Sequence, residues 1–258
     1  MGIFWRWLGY GGKHLCVMHK RCVGSSNDVA RQRLHWPIGE GGQGEGLVIK
    51  VDRQLAGRGR RGKRWVSRRG NLHCSFVLVP SVSQRHYPQL SFMASLALME
   101  TLRSLCRHPA WWRRVSCKWP NDVLCDGKKL AGILLEHGLY RGRSMVIMGV
   151  GVNVRFAPPL RRVTSLYACG IMSTEAEVFK RFALFFWRRY RLWQEKEAHD
   201  MVYQEWLCHA YRLGGFVRLH MDGEKVEGMF EGLTSDGRLC VRMRNSEVRH
   251  VSSALVET

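Results

Sequence analysis

Two stretches of the 258-residue chain combine residue types and spacings suited to chemistry on anions. The first is Gly57-Arg58-Gly59-Arg60-Arg61-Gly62. Its three glycines let backbone N–H groups approach a ligand closely, and its arginines are spaced to converge on one. From Arg53 to Arg69 there are eight basic residues and no acid, so bound anions are expected to offset their mutual repulsion. The run also fits the G-x-G-x-x-G dinucleotide fingerprint, but its context does not. The following KRWVSRRGN has no helical apolar period, and no acid lies between Asp52 and Glu100 to hold a ribose hydroxyl. Taken alone, the run reads evenly as an anion-gripping loop or as its alternative, a solvated basic loop or RGG-like nucleic-acid arm.

The second stretch is Lys118-Trp119-Pro120-Asn121-Asp122, with Lys129 seven residues after Asp122 in KKLAGIL, and then Gly149-Val150-Gly151-Val152-Asn153. Cations, a carboxylate and amide side chains recur here within a region that otherwise reads as strands.

Those residues must be held by a frame, and hydropathy outlines one. Ser25-Ser26-Asn27-Asp28 is a cluster of N-cap types before VARQRL, which predicts a short helix. Residues 37–46 read as a glycine-rich loop, and 47–51 as a strand that delivers the chain to the glycine-arginine run. A second strand is expected over 71–79. Apolar residues at helical spacing predict an amphipathic helix over 87–106. From 115 to 154, strand-like runs joined by Asp126-Gly127 and Arg141-Gly142 suggest adjacent antiparallel strands. Helices are expected over 174–193 and 200–211. After Gly214-Gly215, short strands at 216–221, 225–233, 238–243 and 247–251 alternate with turn signals, the spacing of a small all-β module.

Composition narrows the class. Hydrophobic residues at 45% and charged residues at 24% are ordinary globular usage, so wholesale disorder is not expected. A formal charge of +20 draws in nucleic acid, anionic lipid, nucleotides or acidic proteins without choosing among them. Nine cysteines with no C-x-x-C pair argue against a disulfide framework and zinc ribbons, and for a reducing compartment. No metal site is expected from His73-Cys74 or Cys208-His209. No apolar stretch approaches the ~20 residues needed to cross a bilayer. The aromatic N-terminal segment, interrupted by Arg6, does not read as a signal peptide, and Met18 is a candidate start with residues 1–17 as an extension.

GRGRRGKRW, KWPND, KKLAGIL and GVGVN, in this order and approximate spacing, resemble the biotin protein ligases, enzymes that form biotinyl-adenylate and pass biotin to a carrier lysine. With Ser25-Ser26-Asn27 and Gln54 the resemblance covers residues 24–155, and the module after Gly214 resembles the family's small C-terminal barrel. It implies an α+β fold: a catalytic domain over 18–213, with a mixed β-sheet flanked by helices as in class II aminoacyl-tRNA synthetases, and an SH3-like β-barrel over 214–258.

It also implies site roles. Ser25, Ser26, Asn27, Gln54, Gly57, Arg58, Gly59, Arg60, Lys129 and Gly132 match the biotin site, with Arg58 and Arg60 gripping the adenylate phosphate and Lys129 on the reacting carboxylate and phosphate oxygens. Trp65, Asn121, Asp122 and Asn153 match the ATP site. Trp65 is expected on the adenylate, the two asparagines on the adenine edge, and Asp122 either at Mg²⁺ or orienting the cations. ATP and biotin would be substrates, with Mg²⁺, and none of the cysteines would be catalytic. The partner would be the biotin carboxyl carrier domain of a carboxylase acting on acetyl-CoA, propionyl-CoA or pyruvate. The expected protein is cytoplasmic, monomeric or homodimeric, and bound to neither DNA nor membrane. Only 24 residues precede Ser25, too few for a helix-turn-helix domain, so no repressor function is expected. A lipoate ligase would instead carry a glycine triplet after paired arginines. A nucleic-acid-binding protein would explain the charge but leave 118–122 and 149–153 unexplained.

Overall fold

A computed structural model of the chain describes residues 3–8, 14–34, 46–106, 108–140, 142–195, 199–221, 224–252 and 254–256. Its centre is an eight-stranded mixed sheet in the order β1-β2-β3-β4-β8-β7-β6-β5. The strands are β1 (Ile3–Leu8), β2 (His14–Val23), β3 (Gly46–Gln54), β4 (Leu72–Leu78), β5 (Val115–Lys118), β6 (Asp122–Cys125), β7 (Lys128–Tyr140) and β8 (Arg143–Val152). Among the described strand pairs of this sheet, β2 and β3 are the parallel one. Parallel neighbours need a crossover rather than a hairpin, and helix α1 (Ser26–Gln32) lies in theirs.

Both faces of the sheet are covered, which is why β3 reads as an almost unbroken apolar run. On one face lie α2 (Gln89–Leu105) and α3 (Glu175–Gln194). Leu90, Met93, Ala94, Ala97, Leu98 and Leu102 of α2 are buried, and Phe76 of β4 meets Phe182 and Phe186 of α3 edge-on at 5.8 and 5.2 Å. On the other face α1 seals a smaller core of Ala30, Leu47, Ile49, Val51, Val77 and Ile147. Strand periodicity sets this division: Cys74 and Phe76 point toward α2 and α3, His73, Ser75 and Val77 toward α1.

Beyond α4 (His199–Leu207) the chain builds a separate five-stranded sheet, order β12-β11-β10-β9-β13, every described pairing antiparallel. Its strands are β9 (Phe216–Met221), β10 (Glu224–Leu233), β11 (Leu239–Met243), β12 (Val248–Val251) and β13 (Leu255–Val256).

Three expectations need correction. Residues 1–17 are not a simple extension: β1 pairs with β2, β2 begins at His14, and Leu15 and Val17 are buried, so a boundary at residue 18 cuts a strand. The helix expected over 200–211 ends at Leu207. Ala210 instead lies beside Cys117, with Cys117 N donating to His209 O and Tyr211 N to Cys117 O, each at 2.8 Å, because the backbone of β5 would otherwise lack partners there. The short β13 carries no turn or alternation signal and escaped the sequence reading. The turn at Asp222-Gly223, Arg141 and most of the 37–46 loop lie outside the described residues.

His73 supplies a pH-dependent term in stability. It is 1% exposed, and burial, with repulsion from Lys50 only partly offset by Asp52, pushes its imidazole down to about 4. In the unfolded chain it titrates at about 6.5, so the unfolded state takes up a proton first as pH falls. Stability unaffected above about pH 7 should therefore drop between pH 6.5 and 4, by up to about 3 kcal/mol. Urea midpoints at pH 7.5 and 4.5 measure this drop. A His73→Leu variant with the same acid dependence as the parent would refute the assignment.

Candidate active site

The face under α1 has a gap. Ser75 of β4 stands opposite Gly149 of β8, and Gly151 opposite Gly132 of β7, so four small residues adjoin on one side of the sheet. Here the glycines are required by what lies above them. A Cβ on Gly149 would sit 2.5 Å from Asn27 Oδ1, and one on Gly151 2.5 Å from two ring carbons of Trp65. One on Gly132 would lie 3.2 Å from both Trp65 and Lys129. The result is a cleft of about 250 Å³.

Of the fourteen site residues named from sequence, thirteen line this cleft: Ser25, Ser26, Asn27, Gln54, Arg58, Gly59, Arg60, Trp65, Asn121, Asp122, Lys129, Gly132 and Asn153. Gly57 does not. It shapes the loop from behind, its carbonyl accepting from Trp65 N at 2.9 Å. Arg61, Lys63 and Arg64, which had no expected role, also line the cleft. The loop is a tight hairpin: Arg58 bridges Arg64, Gly59 N donates to Lys63 O at 2.6 Å, and a 3₁₀ turn at Arg60–Gly62 puts Arg61 and Gly62 at positive φ.

One end of the cleft is polar and largely uncharged. Gln54 Oε1 accepts from Ser26 N at 2.8 Å and from Ser26 Oγ at 3.1 Å. Ser75 Oγ lies 2.7 Å from Ser26 Oγ and 2.6 Å from Asn27 Oδ1. Asn27 Nδ2 donates to Glu136 Oε2 at 3.0 Å, which fixes the orientation of the amide. Ser75 and Glu136 were not legible as site residues: a serine in a buried strand and a glutamate just past a motif carry no distinguishing pattern.

Glu136 also anchors the loop. Arg58 Nε donates to it at 3.0 Å, and Arg58 binds Asp28 through both terminal nitrogens at 2.9 and 2.6 Å. The Arg58 hydrogen bonds hold Asp28 below the usual carboxylate range, and Asp28 in turn keeps the guanidinium firmly protonated. The expectation that bound anions must offset the loop's charge is therefore wrong for Arg58, which two carboxylates of the protein itself neutralise.

The other end is cationic. Lys129 Nζ lies 2.6 Å from Asp122 Oδ1 and 5.6 Å from the centre of the Trp65 ring. Lys118, half-buried, has its pKa driven down first by burial and then by Lys129, Arg162 and Lys63, with Asp122 opposing. Burial, with Arg61 beside it, also lowers Arg60. An incoming polyphosphate would relieve both penalties. Of the alternatives for Asp122, orienting a cation is the one this contact supports. Asn121 and Asn153 each spend their amide nitrogen on backbone, donating to Ile133 O at 2.6 Å and Thr164 O at 3.0 Å. The segment that carries Thr164 also pins Lys129, through Lys129 N to Arg162 O at 2.8 Å and Thr164 N to Lys129 O at 2.9 Å. All nine cysteines are free thiols, and none lines the cleft.

The arrangement thus offers a neutral polar pocket for one substrate, a cationic end for a phosphate chain, and an aromatic ring between them. Residues 25–153 match the model of the biotin/lipoate A/B protein ligase family, and residues 213–257 that of the biotin protein ligase C-terminal domain. The chain is 35% identical over 197 residues to a biotin--[acetyl-CoA-carboxylase] ligase of Paracoccus denitrificans, covering 73% of this chain and 81% of the relative. It is 32% identical over 204 residues to one from Mycobacterium tuberculosis, covering 76% and 73%. Among solved structures, a biotin protein ligase from Aquifex aeolicus in complex with biotin and ATP superposes with a TM-score of 0.75 at 26% identity, covering 93% of this chain and 97% of that one. Sequence, fold and cleft agree, and the chain belongs to the biotin/lipoate A/B protein ligase family.

Proposed function

We propose that the protein is a biotin protein ligase that works in two steps. In the first, the biotin carboxylate attacks the α-phosphate of ATP, an O–P bond forms, and pyrophosphate leaves with the electrons of the broken anhydride bond. In the second, the neutral amine of an acceptor lysine attacks the acyl carbon, the amide forms as the nitrogen gives up a proton to solvent, and AMP leaves with the electrons of the broken acyl–oxygen bond. The adenylate is already activated, so positioning suffices and no enzyme nucleophile is needed.

The observation that carries this reading is the Lys129–Asp122 pair at the cationic end of the cleft, with Lys129 Nζ 5.6 Å from the centre of the Trp65 ring that stands between the two ends. Two anions must approach each other in the first step, and charge builds on the phosphoryl oxygens. Lys129 is held by its own carboxylate where those oxygens would pass, while Arg60 and Lys118 add positive field from behind. Ser26, Asn27 and Gln54 would hold the neutral head of biotin, and Trp65 would pack on the adenylate. Arg58, spent on Asp28 and Glu136, acts by holding the loop rather than by gripping phosphate.

Among the described residues lining the cleft, Asp122 is the one carboxylate, and no group of three His, Cys, Asp or Glu side chains is placed to hold a metal. Asp122 is the residue that would help to hold Mg²⁺, which would screen the charge of the ATP phosphates. The acceptor is the biotin carboxyl carrier domain of a carboxylase, acetyl-CoA carboxylase being the one named for the relatives. Nine free thiols suit a reducing cytoplasm.

Incubation with ATP, Mg²⁺ and either biotin or lipoate, followed by mass detection of the acyl-adenylate, tests the reading. Biotinyl-adenylate is expected. Lipoyl-adenylate alone would move the protein to the other branch of its family, and product from neither acid would remove the activity.

A further inference from the structure

Beside the cleft runs a second groove, open to solvent, that the two-step chemistry does not use. Arg53, Arg64, Arg68 and Arg69 line it with Leu55, Val66 and Phe156, all of them exposed, and no carboxylate is in its lining among the described residues. It shares Gln54, Arg64, Trp65 and Val66 with the cleft, so the two are separated only by the wall that carries Trp65.

The groove is built rather than incidental. Asn71, 2% exposed, accepts from Arg155 N and Phe156 N at 3.0 Å each and donates to Phe156 O at 2.7 Å, which clamps the Phe156 side to the 68–71 turn. Ser67 Oγ accepts from Gln54 N at 2.8 Å and ties the opposite side to β3. Arg155 lies 5.6 Å over the Phe156 ring and adds a fifth cation at the rim.

We propose that this groove is the docking surface for the acidic face of the carrier protein whose lysine enters the cleft past Trp65. The inference rests on the ligase reading and adds to it the place and charge of the partner. Two points favour a protein over nucleic acid. Leu55 at 60%, Val66 at 40% and Phe156 at 39% exposure are interspersed among the arginines. An aliphatic and aromatic surface mixed with arginine is typical of a protein interface core, whereas phosphates gain nothing from leucine and valine. The groove also adjoins the point where an acceptor amine must arrive.

The test separates docking from chemistry. In the full-length protein, the double variant R68E/R69E is compared with the parent and with K180E/R188E, which reverses two exposed charges on α3 across the sheet. Three rates are read: biotin-dependent pyrophosphate exchange, discharge of the adenylate by hydroxylamine, and transfer to a recombinant biotin carboxyl carrier domain of acidic net charge. In R68E/R69E the KM for the carrier should rise at least about ten-fold at low salt, with exchange and hydroxylamine discharge unchanged. The α3 variant should resemble the parent. An unchanged carrier KM in R68E/R69E, or an equal rise in K180E/R188E, overturns the proposal. So does a groove whose charge reversal abolishes binding of a short single-stranded oligonucleotide while leaving carrier transfer intact. Absence of exchange in the parent itself would count against the ligase reading instead.

Discussion

Replacing Lys129 with alanine will lower biotin-dependent pyrophosphate exchange by about 100- to 1000-fold, the usual loss when one preorganised donor to a developing oxyanion is removed. The pair geometry adds to the effect. Lys129 and Asp122 are 2.6 Å apart, so the single substitution deletes a cation and also leaves a carboxylate facing the phosphates without its partner. Asp122→Asn in the Lys129→Ala background should therefore recover part of the lost rate, and circular dichroism should show the fold intact in both. Unchanged exchange in Lys129→Ala would remove the residue from the mechanism. A double variant no better than the single would confine Asp122 to a passive role.

The second large effect should come from one methyl group. Gly151→Ala puts a Cβ 2.5 Å from two carbons and 2.9 Å from Nε1 of the Trp65 indole, far inside contact distance. The strand cannot retreat, because Gly151 is paired on both sides, with His73 of β4 and Gly132 of β7. The ring must therefore leave. Overpacking of this kind costs about 1–3 kcal/mol, and here it falls on the group proposed to pack on the adenylate. The KM for ATP should rise about 10- to 100-fold, while the melting temperature shifts by only a few degrees, since the displaced ring borders an open cleft. Steady-state kinetics with varied ATP will show this, and an unaltered KM would mean that the indole does not meet the nucleotide.

What was legible in the sequence was local. Turn chemistry at Asp126-Gly127, the apolar period of α2 and the four linked motifs each depend on residues close in the chain, and they placed thirteen of fourteen site residues in one cleft. The glycines of 149–151 were visible as a motif, but their reason was not, because Asn27 and Trp65 reach them from 122 and 86 residues away. Arg58 is the plainest case. Its neighbours in sequence are cations and glycines, which invited an exogenous anion, whereas its real partners Asp28 and Glu136 come from α1 and β7. The edge strand β1 was missed for a similar cause: only its pairing with β2 makes it a strand, and aromatic residues around Arg6 have no clean period.

One contact described by neither motif joins the two sheets. Trp119 Nε1 donates to Gly237 O at 3.0 Å, and a side chain on Gly237 would strike the Tyr203 hydroxyl, its Cβ only 2.6 Å away. The turn that carries Asn121 and Asp122 thus has its back against a loop 118 residues further on. Mutations at Gly237 or Tyr203 would be transmitted to the cationic end of the cleft without touching it, because this hydrogen bond ties the C-terminal module to the KWPND turn.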